Sequence, residues 1–195
     1  MRAAAVLASL LAAACSRDVP PPDGVPDFPP PPAIEEDAWF AEYRAERRLP
    51  VPAAEVRAWF ADDTMLRHLE ETNGIAPPEA TVLTEGEAWP QTGARRWGRQ
   101  ANGHYLAERV LHADANGFRY QVWGYTDPAA AQVAYALGQF EIVPDGADAT
   151  RFVWTYRYRP RSRLAGPFLR RFVEGDFAGF MERGMDNAER DILSR

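Results

Sequence analysis

The sequence predicts an α+β domain in which an antiparallel β-sheet of about seven strands wraps around one long C-terminal helix. Between residues 80 and 159 the apolar residues recur with a period of two, which is typical of strands. From Pro167 onward they recur at helical spacing, which predicts a single closing helix. Because a one-sided sheet and a one-sided helix bury their apolar faces against each other, we expect the helix on the concave face of the sheet, with a pocket between the layers.

One strand and two short helices precede the main run of strands. Residues 39–49 predict the first strand, and residues 52–60 predict a helix with proline in its first turn. Asp62 and Asp63 can cap a second short helix. The remaining strands are expected at residues 80–87, 94–100, 104–112, 118–125, 134–143 and 150–159, several of them separated by Asn-Gly or Asp-Gly turns.

Alternation predicts which side chains line the interior. The aromatic residues of the last strand should face the closing helix, whereas Arg157 and Arg159 should face water. The expected inward residues of the last three strands are Phe118, Tyr120, Val122, Gly138, Phe140, Ile142, Phe152, Trp154, Tyr156 and Tyr158. In the closing helix they are Leu169, Phe172, Val173, Phe177, Phe180, Met181, Met185, Ala188 and Ile192.

Composition and motifs argue against several function classes. The net charge is −6 and no lysine is present, so a nucleic-acid partner is not expected. The three histidines show no ligand spacing, and therefore we predict no metal site. No glycine-rich phosphate loop and no Gly-x-Ser-x-Gly elbow occur, so neither a nucleotide site nor a serine nucleophile is predicted. We expect no cofactor.

The N-terminus has the pattern of an export signal. Residues 1–14 contain a short apolar stretch after Arg2, and residues 11–15 resemble the lipobox of bacterial lipoproteins. The resemblance implies lipid attachment at Cys15 and a place in the bacterial cell envelope, on the periplasmic side or at the outer membrane. An ordinary secretory signal is the alternative. Residues 15–37 are rich in proline and predict a semi-rigid spacer, which leaves residues 38–195 as the folded domain.

Three segments of the domain resemble one superfamily. Residues 51–62 are similar to its helix after the first strand, residues 138–156 to its last hairpin, and residues 161–192 to its terminal helix. The domain is thus identified as similar to the SRPBCC or START-like helix-grip superfamily, which includes Bet v 1-like and polyketide cyclase/dehydrase-like domains. Members of the superfamily often have an aromatic residue near the position of Leu69, and this chain departs from that pattern because leucine is present there. The resemblance implies a cavity that binds lipids, hormones or aromatic polyketides. In some branches of the superfamily this cavity is the site of a catalysed reaction.

Glu108 is the main polar candidate for the cavity. Alternation places it on the same face as Leu106 and Val110, where it could bind a ligand hydroxyl or act as a general base. Alternatively it pairs with Arg96 or Arg119, or the register is shifted by one residue and Arg109 faces inward. The predicted ligand-binding residues are Glu108, Tyr120, Phe140, Trp154, Tyr156, Phe172 and Phe177.

The sequence therefore favours an exported, membrane-tethered domain that binds a small hydrophobic ligand, lipid-like or aromatic. A polyketide cyclase-like enzyme with a pocket acid or base is the second hypothesis, with Glu108 as its candidate catalytic residue. A third is a domain whose cavity is filled by its own aromatic residues and which acts through its surface.

Overall fold

The computed structural model describes residues 19–61 and 64–195. Seven antiparallel strands form one sheet in the order β1-β7-β6-β5-β4-β3-β2, which confirms the predicted fold class. The strands are β1 (Ala41–Leu49), β2 (Pro78–Glu85), β3 (Arg95–Gln100), β4 (Tyr105–Asp114), β5 (Gly117–Trp123), β6 (Val133–Pro144) and β7 (Thr150–Pro160). Each bound lies within two residues of its prediction.

Two short helices follow β1, namely α1 (Ala53–Phe60) and a 3-10 turn (Thr64–His68). The proposed caps Asp62 and Asp63 lie outside the described residues. The closing helix spans residues 163–193 and has four parts: a 3-10 turn (Arg163–Ala165), α2 (Gly166–Phe172), a π turn (Val173–Phe177) and α3 (Ala178–Leu193). No helix in the described ranges is long and apolar enough to span a membrane.

The inner face of the sheet, which faces the closing helix, is lined by the predicted aromatic residues. The rings of Tyr156 and Phe177 lie 4.9 Å apart across the interface, and those of Phe140 and Trp154 stack at 5.1 Å within the sheet. Gly138 lies opposite Tyr120, and a Cβ there would fall 2.2 Å from the Tyr120 ring. The inner face therefore needs glycine at this position to admit the tyrosine.

Polar contacts hold β1 to the closing helix at the rim of this interface. The Arg47 guanidinium pairs with Glu182 at 2.6 Å and with Asp186 at 2.5 Å, and Tyr43 donates a hydrogen bond to Glu182 at 2.7 Å. These two carboxylates raise the pKa of Arg47, although burial opposes them. The contacts fix where the helix lies over the sheet, and hence the shape of the space beneath it.

A proline-rich strap, residues 28–37, crosses the outer face of the sheet. Phe28 and Ile34 pack against an apolar cluster of Ala107, Trp123, Tyr135 and Leu137. Trp123 Nε1 donates to the Pro29 carbonyl at 2.8 Å, and Gln121 Nε2 donates to the Pro32 carbonyl at 3.0 Å. An extended proline-rich chain makes no internal backbone hydrogen bonds, so its carbonyls are free to accept these side chains.

The strap changes two expectations. The sequence predicts a free spacer over residues 15–37, but residues 28–37 are part of the packed domain. It also predicts that Arg157 and Arg159 face water, whereas the strap partly covers Arg159, and Phe40 just after the strap partly covers Arg157. Arg159 pairs with Glu35 at 2.8 Å, and the Arg157 guanidinium lies 5.3 Å from the Phe40 ring centre.

Candidate functional site

The candidate site is a cavity between the inner face of the sheet and the closing helix, with a volume of about 120 Å³. Its walls come from the 3-10 turn after α1, the segment before β2, the five strands β2, β3, β4, β5 and β7, and the π turn with the start of α3. A narrower space of about 40 Å³ continues deeper into the core and is lined by Phe60, Phe118 and Phe140. The aromatic residues thus fill much of the interior and leave these two small spaces.

Glu108 lies in the wall of both spaces, on the inner face as alternation predicts. Its Oε2 accepts a hydrogen bond from Arg96 Nε at 2.5 Å, and the two side chains are 12% and 5% exposed. Arg109 lies on the outer face, where it donates to Gln121, so the shifted register does not occur. Glu108 is therefore both a cavity residue and the ion-pair partner of Arg96, while Arg119 pairs with Glu36 on the outer face.

The Arg96–Glu108 pair forms where neighbouring strands meet in register. Arg96 on β3 is directly opposite Glu108 on β4, and the guanidinium lies 3.8 Å from the centre of the Trp89 ring. Two opposite charges, a flat ring and a short hydrogen bond thus hold the carboxylate in one orientation. The pair presents a fixed charged group to the cavity.

Four phenols converge on the cavity: Tyr120, Tyr125, Tyr156 and Tyr158. Burial raises the pKa of each of them, and for Tyr120, Tyr125 and Tyr156 the nearby Glu108 carboxylate adds to the effect. The four side chains therefore remain protonated at neutral pH. They can donate hydrogen bonds to a ligand, but they cannot serve as phenolate bases there.

Two buried polar atoms at the cavity lack a well-formed hydrogen bond to any described residue. The Tyr125 hydroxyl lies beside that of Tyr156, and Trp154 Nε1 lies beside the Tyr120 hydroxyl, yet neither contact has good geometry. Leaving such a group unpaired costs about 1–3 kcal/mol. A ligand that pairs with either atom would recover that free energy.

The structure brings together most of the predicted ligand-binding residues. Glu108, Tyr120, Trp154, Tyr156 and Phe177 line the larger space. Phe140 lines the deeper one, and Phe172 lines neither because it packs against the Tyr158 ring at 5.9 Å. Their role in binding stays a prediction.

The wall residues that sequence reasoning missed include Leu66, Ile75, Gln100 and Tyr125. Ile75 follows an Asn-Gly turn, and Tyr125 lies just beyond the end of β5. Both positions lie outside the strands, so the alternation of inward and outward side chains does not apply to them. No signal in the sequence would have placed them at the cavity.

The histidines have local partners in the structure. His104 Nδ1 lies 3.1 Å from Thr126 Oγ1, His112 pairs with Asp114, and His68 pairs with Asp191. Among residues 19–61 and 64–195, no three metal-ligating side chains cluster. The predicted lipid-attachment residue Cys15 and the predicted signal peptide lie outside the described residues.

Comparison with known proteins agrees with this architecture. Residues 41–192 match the family model "Polyketide cyclase / dehydrase and lipid transport". No curated protein sequence shows significant similarity to the chain.

Three solved structures show the same fold at low identity. Ara h 8.0201 covers 80% of this chain and 100% of its own at 12% identity, with a TM-score of 0.55. TTHA0849 from Thermus thermophilus covers 78% of this chain and 97% of its own at 24% identity, with a TM-score of 0.54. Norcoclaurine synthase from Thalictrum flavum, in complex with dopamine and hydroxybenzaldehyde, covers 80% of this chain and 88% of its own at 14% identity, with a TM-score of 0.58. The chain therefore belongs to the polyketide cyclase/dehydrase and lipid transport family, as a ligand-binding domain of the Bet v 1-like SRPBCC superfamily.

Proposed function

We propose that this domain binds a small hydrophobic molecule, about the size of one ring and with one polar group, in the cavity beneath the closing helix. The observation that carries the proposal is a space of about 120 Å³ whose wall includes two buried polar atoms without a well-formed hydrogen bond, Tyr125 Oη and Trp154 Nε1. Apolar walls with a few convergent polar groups are the usual anatomy of a small-molecule site.

The cavity volume favours an aromatic or cyclic ligand over a lipid chain. An apolar cavity of about 150 Å³ takes up benzene, whereas sites for larger ligands occupy about 300–1,000 Å³. Norcoclaurine synthase, which shares the fold, is known in complex with dopamine and hydroxybenzaldehyde, both single-ring molecules. At 14% identity that likeness supports only the size class of ligand.

The polar atoms narrow the chemistry of the ligand further. Trp154 Nε1 can only donate, and the protonated Tyr125 hydroxyl can donate or accept. The Glu108 carboxylate accepts, but it is already engaged by Arg96. A phenol, a phenol ether or an aromatic carbonyl compound matches this set, since each offers an oxygen acceptor on a flat apolar body.

The ligand proposal is tested by thermal unfolding of residues 19–195 with single-ring phenols, aromatic aldehydes and long-chain fatty acids. We expect stabilisation by members of the first two classes and none by fatty acids. Leu106→Trp should fill the cavity and abolish that stabilisation, since Leu106 lines it. Leu83→Trp, the same change at an exposed position on β2, is the matched control and should retain it. Stabilisation by fatty acids alone would contradict the ring-sized ligand.

The proposed setting is the bacterial envelope, with the domain exported and tethered through lipid on Cys15. The lipobox resemblance and the absence of any other cysteine in the sequence support it. Cys15→Ser in the full chain should move the protein from the membrane fraction to the soluble fraction of a bacterial host. Metabolic labelling with a fatty-acid analogue should mark the parent chain and not the variant, and equal labelling of both would refute attachment at Cys15.

An enzyme of the polyketide cyclase type is a second candidate, favoured by the Glu108 carboxylate in the cavity wall. The ion pair with Arg96 holds the Glu108 carboxylate in one orientation at the cavity wall, which suits a group that accepts a proton from a bound substrate. If the domain turns over a ring-sized substrate, Glu108→Gln should abolish turnover while the substrate still stabilises the fold. Retained turnover in that variant would remove Glu108 from the mechanism.

A further inference from the structure

The start of the closing helix presents a surface unlike the rest of the molecule, the arginine patch: Arg163, Leu164, Phe168, Arg170 and Arg171. Leu164 is 92% exposed and Phe168 is 63% exposed, and they are four residues apart, on one side of the helix. No other large apolar side chain in the described residues is as exposed as either of them. The surfaces of soluble proteins seldom have two such exposed residues side by side unless a protein or a membrane binds there.

Positive charge surrounds these apolar residues. Between Ala149 and Val173 the sequence contains seven arginines and no acidic residue, although the whole chain carries a net charge of −6. Arg170 lies 5.3 Å from the Trp39 ring centre, and no described acidic residue pairs with Arg163 or Arg171. The patch is thus a local cationic area on an acidic protein.

An open groove of about 1300 Å³ lies beside the patch. Four acidic residues also line it, namely Glu35, Glu36, Asp37 and Glu174. Glu35 and Glu36 are engaged by Arg159 and Arg119, which leaves Asp37 and Glu174 against the three arginines of the patch.

The patch lies at an end of the sheet that several cavity residues share, which we call the mouth end. In the register of the sheet, Pro160 pairs with Val133, Ala107 with Trp123 and Arg99 with Tyr105. The end of β7, where the closing helix begins, is therefore level with the β3–β4 turn. Cavity residues at this same end are Pro78, Gln100, Tyr125 and Tyr158.

The N-terminal part of the described chain reaches the same end. Pro21 lies against Gly103 in the β3–β4 turn, where a Cβ on the glycine would come within 2.9 Å of Pro21 Cγ. The predicted lipid-attachment residue Cys15 precedes Pro21 by six residues, a length of chain that spans at most about 20 Å. Attachment there would hold the mouth end near a membrane.

We propose that the arginine patch docks the mouth end onto an anionic bilayer surface. Leu164 and Phe168 enter the headgroup region, and Arg163, Arg170 and Arg171 contact lipid phosphates. Exposed apolar residues flanked by arginine are the pattern of interfacial membrane segments. Docking in this orientation turns the cavity towards the membrane, so that an apolar ligand passes between bilayer and protein without crossing bulk water.

The test uses residues 19–195, which contain the sheet, the strap and the closing helix but not Cys15, so that a failed tether and a failed patch are distinguishable. Binding to phosphatidylcholine vesicles with about 30% phosphatidylglycerol is measured by co-sedimentation. We expect binding that weakens as NaCl rises from about 0.1 M to 0.5 M, and little binding to pure phosphatidylcholine.

Variants then locate the surface. Arg163, Arg170 and Arg171→Gln together should weaken binding about 100-fold, since each arginine near an anionic surface contributes a factor of about five. Leu164→Ser with Phe168→Ser should weaken it at least about tenfold. The matched control changes Arg48, Arg67 and Arg151→Gln, three exposed arginines elsewhere on the molecule, and should bind about as the parent does. Equal loss of vesicle binding in the control variant would overturn the proposal, and so would no binding of the parent protein to either vesicle. Binding of a partner protein at the patch, without vesicle binding, would also overturn it.

Discussion

Trp123 and Trp154 lie on opposite faces of the same sheet, and their indole N–H groups have different surroundings. On the outer face Trp123 donates to the Pro29 carbonyl at 2.8 Å, whereas on the inner face Trp154 Nε1 is buried without a well-formed hydrogen bond. The tyrosines differ in the same way. The Tyr135 hydroxyl on the outer face accepts from the backbone N–H of Glu35 at 3.0 Å, while the Tyr125 hydroxyl on the inner face has no well-formed hydrogen bond.

Tryptophan and tyrosine thus have different roles on the two faces of the sheet. The outer face is covered by the chain's own strap, whose carbonyls satisfy its polar groups, so that face contributes stability. The inner face leaves polar groups without well-formed hydrogen bonds beside a cavity, which costs stability that a bound ligand would recover. Variants on the two faces should therefore differ in which property they change, and four predictions test this, from the largest effect to the smallest.

The largest effect is expected at high pH, from the buried phenols of the inner face. The folded-state pKa values of Tyr120, Tyr125, Tyr156 and Tyr158 are raised above the unfolded value of about 10. Below that pH both states hold the proton and stability is constant. Above it the unfolded state loses protons first, so stability falls by up to about 1.4 kcal/mol per pH unit for each tyrosine.

Urea unfolding from about pH 8 to pH 11 measures this loss. Tyr158→Phe should reduce the slope above pH 10 by the contribution of one tyrosine. Absorbance of tyrosinate should show these phenols ionising only together with unfolding. A flat stability through pH 11 would contradict the burial of the inner phenols.

The second prediction concerns the ion pair of the inner face. Arg96→Met should destabilise the fold by about 3–5 kcal/mol, because it leaves the Glu108 carboxylate buried and uncompensated. Adding Glu108→Leu should recover most of the loss, since the pair is then replaced by apolar side chains. Urea unfolding of both variants measures this, and a double variant no more stable than Arg96→Met would argue against the buried pair as the cause.

The third prediction concerns the strap. A chain that begins at residue 38 should be less stable than one that begins at residue 19 by about 2–4 kcal/mol, since it loses the apolar cover and the two carbonyl acceptors. A chain that begins at residue 27 keeps the strap and is the control. Ligand stabilisation should be the same in all three, because the cavity lies on the other face. Equal stability of the three chains would show that the strap contributes nothing.

The inner face was predictable from sequence, and the outer face was not. Strict alternation in β5 to β7 places Tyr120, Trp154 and Tyr156 inward, and it places Glu108 correctly within β4. A proline-rich segment, by contrast, has the same composition whether it is free or packed. Its docking depends on Trp123, more than 90 residues away, which donates to a backbone carbonyl that composition does not reveal. Cavity volume likewise depends on how rings from distant strands pack.

The smallest effect is the sharpest test, because the substitution is identical on both faces. Tyr135→Phe removes a satisfied hydroxyl from the outer face and should cost about 0.5–1.5 kcal/mol, since the backbone N–H of Glu35 loses its acceptor. Tyr125→Phe removes an unpaired hydroxyl from the inner face, so the free energy of unfolding should stay the same or rise slightly. With a ring-sized ligand the order reverses: Tyr125→Phe should lose affinity about tenfold and Tyr135→Phe should not. If both variants changed stability and affinity alike, the two faces would not have the separate roles that their hydrogen bonding indicates.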